Sequence, residues 1–388
     1  MLELTLLVVL GTSALLLVHS YFLYPATLAL LAQLISTPDS TGSDTLPSVA
    51  LVIAAYNEEE IIAEKIENSL ALEYPADRLS IVVFSDASSD RTDEIVRSYA
   101  DEGVELVRVE GRVGKTECQN RVVDRVDEEV VVFSDANSMY EPDAIRELVA
   151  AFGPDVGCVV GELTYRDSSA VDGESVYWRY ESLLKCLESA VGSSVTGNGA
   201  IYAVRASSYV PLRRDAISDF AEPLAIVRNG QRVAYTADAV ARERTEATVD
   251  DELARRCRIV TRSWHTVANN AALLNPVRYP LFSFQLLSHK VLRWLSPLFL
   301  AGAFLSNLGL VLVAPSPLYL AAFGAQVVFY GLATVGAALD RAAVSPPTIV
   351  HVPHFFLVAN YGMLAGLWNF LRRENIVTWN TTSRESEP

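Results

Sequence analysis

Four stretches of the chain pass abruptly from apolar residues into carboxylates, amides and hydroxyls. They are AAYNEEE (54–60), SDASSDRT (85–92), GRVGKTECQN (111–120) and SDAN (134–137). Taken singly, each reads as a turn or a helix start, and Asn57, Asp90 and Asn137 are all suitable caps. Taken together they suit a ligand, because open α/β folds bind at the carboxyl ends of their strands. Asp86 and Asp135 offer carboxylate oxygens, which accept hydrogen bonds or ligate a hard cation. Lys115 stands at a helix start in GRVGK, where free backbone N–H groups and an ammonium both suit phosphate oxygens. GRVGK is not the full P-loop pattern. Further along, TGNGAIYAVR (196–205) supplies glycines that permit close backbone approach, and RRCRIVTRSWHT (255–266) gathers arginines.

The clusters need elements that bring them level. VALVIAAY (49–56), IVVFSD (81–86), VELVRVE (104–110), VVVFSD (130–135) and CVVGELTY (158–165) read as strands. Between them EEEIIAEKIENSLAL (58–72), DRTDEIVRSYADEG (90–103), KTECQNRVVDRV (115–126) and EPDAIRELVAAFG (141–153) carry helical periodicity. Strands alternating with helices predict an α/β fold, a mostly parallel sheet with helices on both faces, over residues 49–275.

The flanks differ in composition. Residues 4–35 contain no charge and exceed the ~20 residues that cross a bilayer. The acidic start MLEL and the long apolar run argue for a permanent N-terminal transmembrane helix over 1–35, not a cleaved signal peptide. Residues 36–48 form a polar linker. Residues 276–294 mix aromatics, Lys, Arg and His with apolar residues, as an interfacial amphipathic segment does. A C-terminal membrane region follows over 295–371, with apolar runs at about 295–314, 317–339 and 344–371, before a polar tail, 372–388. The third run carries His351, Pro353, His354 and Asn360, so it spans, or lies interfacially, or breaks. His289 is expected at the surface or against lipid headgroups.

The net charge of −16 argues against a nucleic-acid partner. Lysine occurs only at 65, 115, 185 and 290, and such an acidic, Lys-poor chain fits a salt-adapted, halophilic surface. The four cysteines form no CxxC pair and read as reduced, buried thiols.

The ordered set AAYNEEE, SDASSDRT, GKTECQN, FSDAN and TGNGAIYAVR resembles the family-2 inverting glycosyltransferases of the GT-A fold. The likeness covers roughly residues 48–265. SHKVLRWL and the apolar helices after it resemble the membrane-embedded branch, which includes cellulose, hyaluronan and poly-N-acetylglucosamine synthases. The resemblance implies a nucleotide-diphosphate sugar as donor, usually a UDP-sugar, and a lipid-linked or glycan acceptor. It implies that Ala55, Tyr56 and Glu58 hold base and ribose and that Asp86 accepts hydrogen bonds from the uracil or ribose, while Asp90 orders the loop or caps the helix. Lys115 takes the diphosphate, and Gly197, Asn198 and Gly199 approach donor sugar or acceptor.

Asp135 matches the first position of the family's DxD motif, which holds Mg²⁺ or Mn²⁺; Asn137 replaces the second Asp with an uncharged amide. The general base is expected shortly after the glycine-rich segment: Asp219 is the best match, with Asp215 and Glu222 as rivals. RRCRI is the nearest register to the Gln-x-x-Arg-Trp motif of polymer synthases. Arg258 matches its Arg, with Arg255, Arg256 and Arg262 nearby, and Ile259 replaces its Trp. That loss favours one or a few additions over processive polymerisation with export.

IVTWNTTSR (376–384) is similar to a gating segment, with Trp379 and Arg384 as candidates. Such a loop must be cytosolic, and Arg372 and Arg373 mark that end as inside. Three spanning helices after a cytosolic domain place it outside, so the third run does not span or the gating likeness fails. The expectation is a multi-pass enzyme of the cell membrane with a cytosolic catalytic domain. A non-catalytic scaffold with a nucleotide-sugar-binding domain is the rival from another class.

Overall fold

The computed structural model describes residues 1–35, 46–165, 173–243, 249–342, 344 and 347–374. The chain starts with α1 (Leu2–Val18), a π-turn (His19–Leu23) and α2 (Tyr24–Ala32), which together make one long apolar helix. The π-turn lies just before Pro25, whose ring cannot fit against the carbonyl of the preceding turn.

The sheet follows. β1 (Val49–Ala55) is apolar throughout and buried on both faces. Its alternate residues enter different cores: Val49, Leu51 and Ile53 on one side, Ala50, Val52 and Ala54 on the other. α3 (Ile62–Leu70), β2 (Leu79–Asp86), α4 (Thr92–Ser98), β3 (Val104–Val109), α5 (Lys115–Val123), β4 (Val130–Asp135), β5 (Met139–Tyr140), α6 (Ala144–Ala150) and β6 (Val156–Tyr165) come next. α7 (Gly173–Val191), β7 (Tyr202–Arg205), α8 (Ser218–Arg228), β8 (Arg232–Glu243) and α9 (Val249–Asn269) complete the domain. α3, α4 and α6 cover one face through Ile62, Ile66, Val96 and Leu148. α5, α8 and α9 cover the other through Cys118, Val122, Phe220, Leu224 and Val260.

Among the described residues the strand order is β3-β2-β1-β4-β7-β6-β8-β5. β1, β2, β3 and β4 are mutually parallel, as the sequence predicts. Beyond them the sheet is mixed. β7 runs antiparallel to both β4 and β6, β8 runs parallel to β6, and β5 runs antiparallel to β8. β6 and β8 therefore point the same way as the first four strands. Ala54 pairs with Asp135, Ala55 with Ser85 and Asp86 with Val109, so the polar strand ends come level at one edge.

After α9, a bent helix runs through α10 (Pro280–Leu286), a second π-turn (Leu287–Val291) and α11 (Leu292–Trp294). It leads into α12 (Ser296–Val313), α13 (Pro317–Arg341) and α14 (Thr348–Leu371). Among the described residues, four helices are long and apolar enough to cross a membrane: Leu2–Ala32, Ser296–Val313, Pro317–Arg341 and Thr348–Leu371. Their faces leave Leu4, Leu305, Leu312, Leu320 and Val328 more than half exposed, which suits lipid as solvent. The run with Pro353 is an unbroken helix, and it packs on α9 of the sheet domain. A Cβ at Gly366 would lie 2.7 Å from the Val260 Cβ, so the two helices approach nearly backbone to backbone.

Candidate active site

Two adjoining regions gather at the carboxyl edge. The first is a corner where the loops after β1, β2 and β3 lace together. Asp90 accepts from Thr92 N at 3.0 Å and Glu59 N at 3.1 Å, and Asn57 Oδ1 accepts from Ser89 N at 2.8 Å. Asp90 therefore orders the loop, as expected. Asp86 is wholly buried, and its carboxylate accepts from Val113 N (2.7 Å), Gly114 N (3.0 Å) and Arg112 (2.9 Å). The Arg112 guanidinium lies 3.2 Å above the centre of the Tyr56 ring. Asp86 thus shapes the GRVG loop, and Arg112 joins Tyr56 in a flat cationic platform of the kind that stacks on a base. Ala55 is buried in the core, so only its backbone is available to a ligand.

The second region is a cavity of about 410 Å³. Its walls carry Glu58, Lys115, Asp135, Asn137, Gly199, Asp219, Glu243 and the arginines 255, 256, 258 and 262. Gly199 marks the point of convergence. A Cβ built there would lie 3.0 Å from Lys115 Nζ, 3.1 Å from Asp135 Oδ2 and 3.9 Å from Asp219 Oδ2. Gly197 N donates to the Asp219 carbonyl at 2.7 Å, which seats the glycine loop against α8. Asn198 is used inside the fold: its amide donates to Gly161 O and accepts from Ile201 N, both at 2.9 Å.

Lys115 opens α5 and its ammonium is ion-paired with Asp135. Asn137 does not cap a helix, because α6 begins only at Ala144. It faces the cavity beside Asp135. The donors are carboxylate and amide oxygens, the type a hard divalent cation prefers, and the Lys115 ammonium shows that the spot accepts positive charge. Among the described residues no group of three or more His, Cys, Asp or Glu side chains forms a metal cage. Mg²⁺ and Mn²⁺ sites that hold diphosphates need only one or two carboxylates.

Of the three carboxylates weighed as base, only Asp219 lines the cavity. Burial raises its pKa; the Asp135 charge adds to this, while Lys115, Arg262 and Lys290 oppose it. Asp215 is tied to Arg213 by two 3.0 Å hydrogen bonds, and this pairing lowers its pKa. Glu222 is completely buried, and among the described residues neither of its oxygens finds a hydrogen-bond partner. Burial pushes its pKa up to about 8.

The arginines divide in their roles. Arg262 is nearly buried and donates to the carbonyls of Asp215 and Ala216, so it fixes the loop ahead of the base helix. Arg256 lies over the Phe355 ring at 5.2 Å, against α14. Arg255, Arg258 and Ile259 face the cavity. Trp264 packs on Trp294 and Phe370, at 5.3 and 5.9 Å. Trp379 and Arg384 lie outside the described residues, as does most of the 36–48 linker.

His289 corrects the expectation of a surface contact. It is fully buried, with Nδ1 2.7 Å from Glu188 and Nε2 3.2 Å from Glu181. Tyr24 of the apolar N-terminal helix donates to Glu188 at 2.5 Å, and Arg293 pairs with Glu181 at 2.6 Å. This buried network clamps α7 to the N-terminal apolar helix and to the bent helix that precedes α12. A three-residue frame hides it: only folding brings positions 24, 181, 188 and 289 together. The cysteines are all free, but Cys186 is exposed, because its side of α7 faces outward.

Sequence reasoning also missed Arg112, Tyr165, Trp178, Lys185, Glu243 and Lys290. Arg112 sits in the quoted GRVGK and was legible. Glu243 ends a strand whose apolar alternation is too weak to read, RVAYTADAVARE.

Residues 50–206 match the model of glycosyl transferase family 2. This stretch is a family-2 glycosyltransferase domain. The chain is similar to poly-beta-1,6-N-acetyl-D-glucosamine synthases of Staphylococcus epidermidis and Staphylococcus aureus. Each is 28% identical, over 143 and 148 residues, or 36% and 37% of this chain. The chain spans about a third of the length of these curated relatives, 34% and 35%. Its fold is that of a mannosyltransferase from Pyrobaculum calidifontis, solved in complex with GDP-Man and Mn²⁺. The TM-score is 0.72 at 22% identity, over 97% of this chain and 100% of that one.

Proposed function

We propose that the protein is a membrane-bound inverting glycosyltransferase. It moves a sugar from a nucleoside-diphosphate donor, a UDP-sugar first in line, to a lipid-linked or glycan acceptor, in one or a few additions. The observation that carries this reading is the convergence at Gly199 of a phosphate-type lysine, a strand-end carboxylate and a buried carboxylate. Asp135 and Asn137 would hold a divalent cation, Mg²⁺ or Mn²⁺, which would supply Lewis-acid neutralisation of the leaving diphosphate. Lys115 and Arg258 bind the diphosphate oxygens. Arg112 and Tyr56 take the base, with Asp86 and Glu58 setting their loops. Asp219 removes the proton of the acceptor hydroxyl as it attacks in line, and its raised pKa suits a base that works near neutrality.

Several features support membrane delivery of the acceptor. Lys290, Trp294 and Met363 of the membrane-side helices line the same cavity as Asp219. A catalytic domain on the cytosolic side gives it nucleotide sugars. The acidic, Lys-poor composition fits work in concentrated salt. The staphylococcal relatives are named as polymer synthases, and Ile259 in the cavity wall, where a Trp supports a growing glycan, favours short additions instead.

The test is metal-dependent release of nucleoside diphosphate from a panel of UDP- and GDP-sugars, with membrane lipid extract as acceptor. Asp135→Ala and Asp219→Asn are expected to abolish turnover, with product length read by mass spectrometry. No release with any donor, with Asp135→Ala indistinguishable from the parent, refutes the enzyme reading.

A further inference from the structure

The cation site has an amide, Asn137, where a second carboxylate gives charge, and the fold brings another acid to it. β8 runs in the same direction as β1, β2 and β4, so its last residue, Glu243, arrives at the same carboxyl edge as Asp86 and Asp135. Glu243 lines the cavity together with Asp135, Asn137 and Lys115. Its position is fixed from two sides. Ser138 Oγ, on the residue after Asn137, donates to Glu243 Oε1 at 2.5 Å. The wholly buried Lys65 donates to the Ser138 carbonyl at 2.5 Å and lies 3.9 Å over the Tyr140 ring. The SDANS turn is thus clamped between Lys65 and Glu243, with Asp135 at its start.

We propose that Glu243 is the second carboxylate of the divalent-cation site, supplying the charge that Asn137 lacks. The inference rests on the functional reading above. It completes a donor set of two carboxylates and one amide oxygen, leaving the remaining positions to diphosphate oxygens and water, the usual share for Mg²⁺ or Mn²⁺. With a cation held there, Asp135 would no longer need the Lys115 ammonium, which would be free to bind phosphate oxygens. Ser138 holds the Glu243 carboxylate in register, as a hydrogen-bonded partner does for a metal ligand.

The test uses the full-length protein in detergent and Mn²⁺ alone, read by the electron paramagnetic resonance of free Mn²⁺, so no turnover is needed. Glu243→Gln is expected to weaken Mn²⁺ binding about tenfold or more, and Asn137→Asp in the same chain to restore most of it. Asp135→Ala is the reference loss. Parent-like affinity in Glu243→Gln, alongside loss in Asp135→Ala, overturns the proposal and leaves the functional reading standing. A lowered melting temperature with unchanged affinity also overturns it, making Glu243 only the counter-charge of Lys65. Unchanged binding in both variants overturns the cation reading itself.

Discussion

Gly199→Ala puts one methyl group into the centre of the site. The new Cβ would sit 3.0 Å from Lys115 Nζ and 3.1 Å from Asp135 Oδ2, where about 3.5 Å or more is comfortable. Both groups, which are ion-paired with each other, must retreat by about half an ångström. Misplacement of a reacting group by about 1 Å costs on the order of 100-fold in rate. Two half-displacements therefore predict a fall of roughly 10- to 100-fold in turnover, or about 1.4–2.7 kcal/mol in the barrier. The backbone at 199 is not left-handed, so the substitution itself brings no strain, and stability should change by about 1 kcal/mol or less. Gly161→Ala is the contrast. Its Cβ would lie 2.6 Å from the Ala239 carbonyl, a backbone atom that cannot step aside. That variant is expected to lose melting temperature first and activity only as a consequence. The assay is nucleoside-diphosphate release under saturating donor, with a thermal melt of each variant. Turnover of Gly199→Ala within twofold of the parent refutes the convergence of Lys115, Asp135 and Asp219 as the catalytic point.

Other outcomes follow from the same geometry. The base must be ionised, so the rate should rise with pH through an acid limb set above the ordinary Asp value near pH 4, because burial raises Asp219; a limb at or below that value points to another base. Asp215→Asn should keep activity within about threefold, since Asp215 stays with Arg213 outside the cavity; deeper loss would return it to candidacy. Glu222 holds its proton to about pH 8 in the fold against 4.5 when unfolded, so stability falls as pH rises across that window. Glu222→Gln should flatten this slope, gaining on the order of a few kcal/mol at pH 8; an unchanged slope in denaturant melts would contradict the burial argument. His289→Leu removes one partner from each of two buried carboxylates, which keep Tyr24 and Arg293, and should cost about 1–3 kcal/mol, seen as a lowered melt without altered Mn²⁺ affinity.

The row of strand ends was legible in the sequence because local rules govern it. Apolar runs as short and β-branched as VALVIAA and VVVF suit strands buried on both faces, and each gives way to polar residues within a residue or two. Parallel pairing then leaves no choice but a common edge for Asp86, Lys115 and Asp135. Asp219 entered through the family resemblance, which expects a base shortly after the glycine loop, and the apolar helices through length and composition alone. Long-range placement was not. β7 and β8 carry weak periodicity, so their antiparallel and parallel pairings depend on partners far along the chain, and with them the arrival of Glu243 beside Asn137. The burial of His289 between Glu181 and Glu188 looks improbable from SHK, because charged groups enter a core only when distant partners meet them there. The polar sheet edge follows from local burial patterns, whereas which acids share it depends on long-range packing: of Asp215, Asp219 and Glu222, only Asp219 is turned into the cavity.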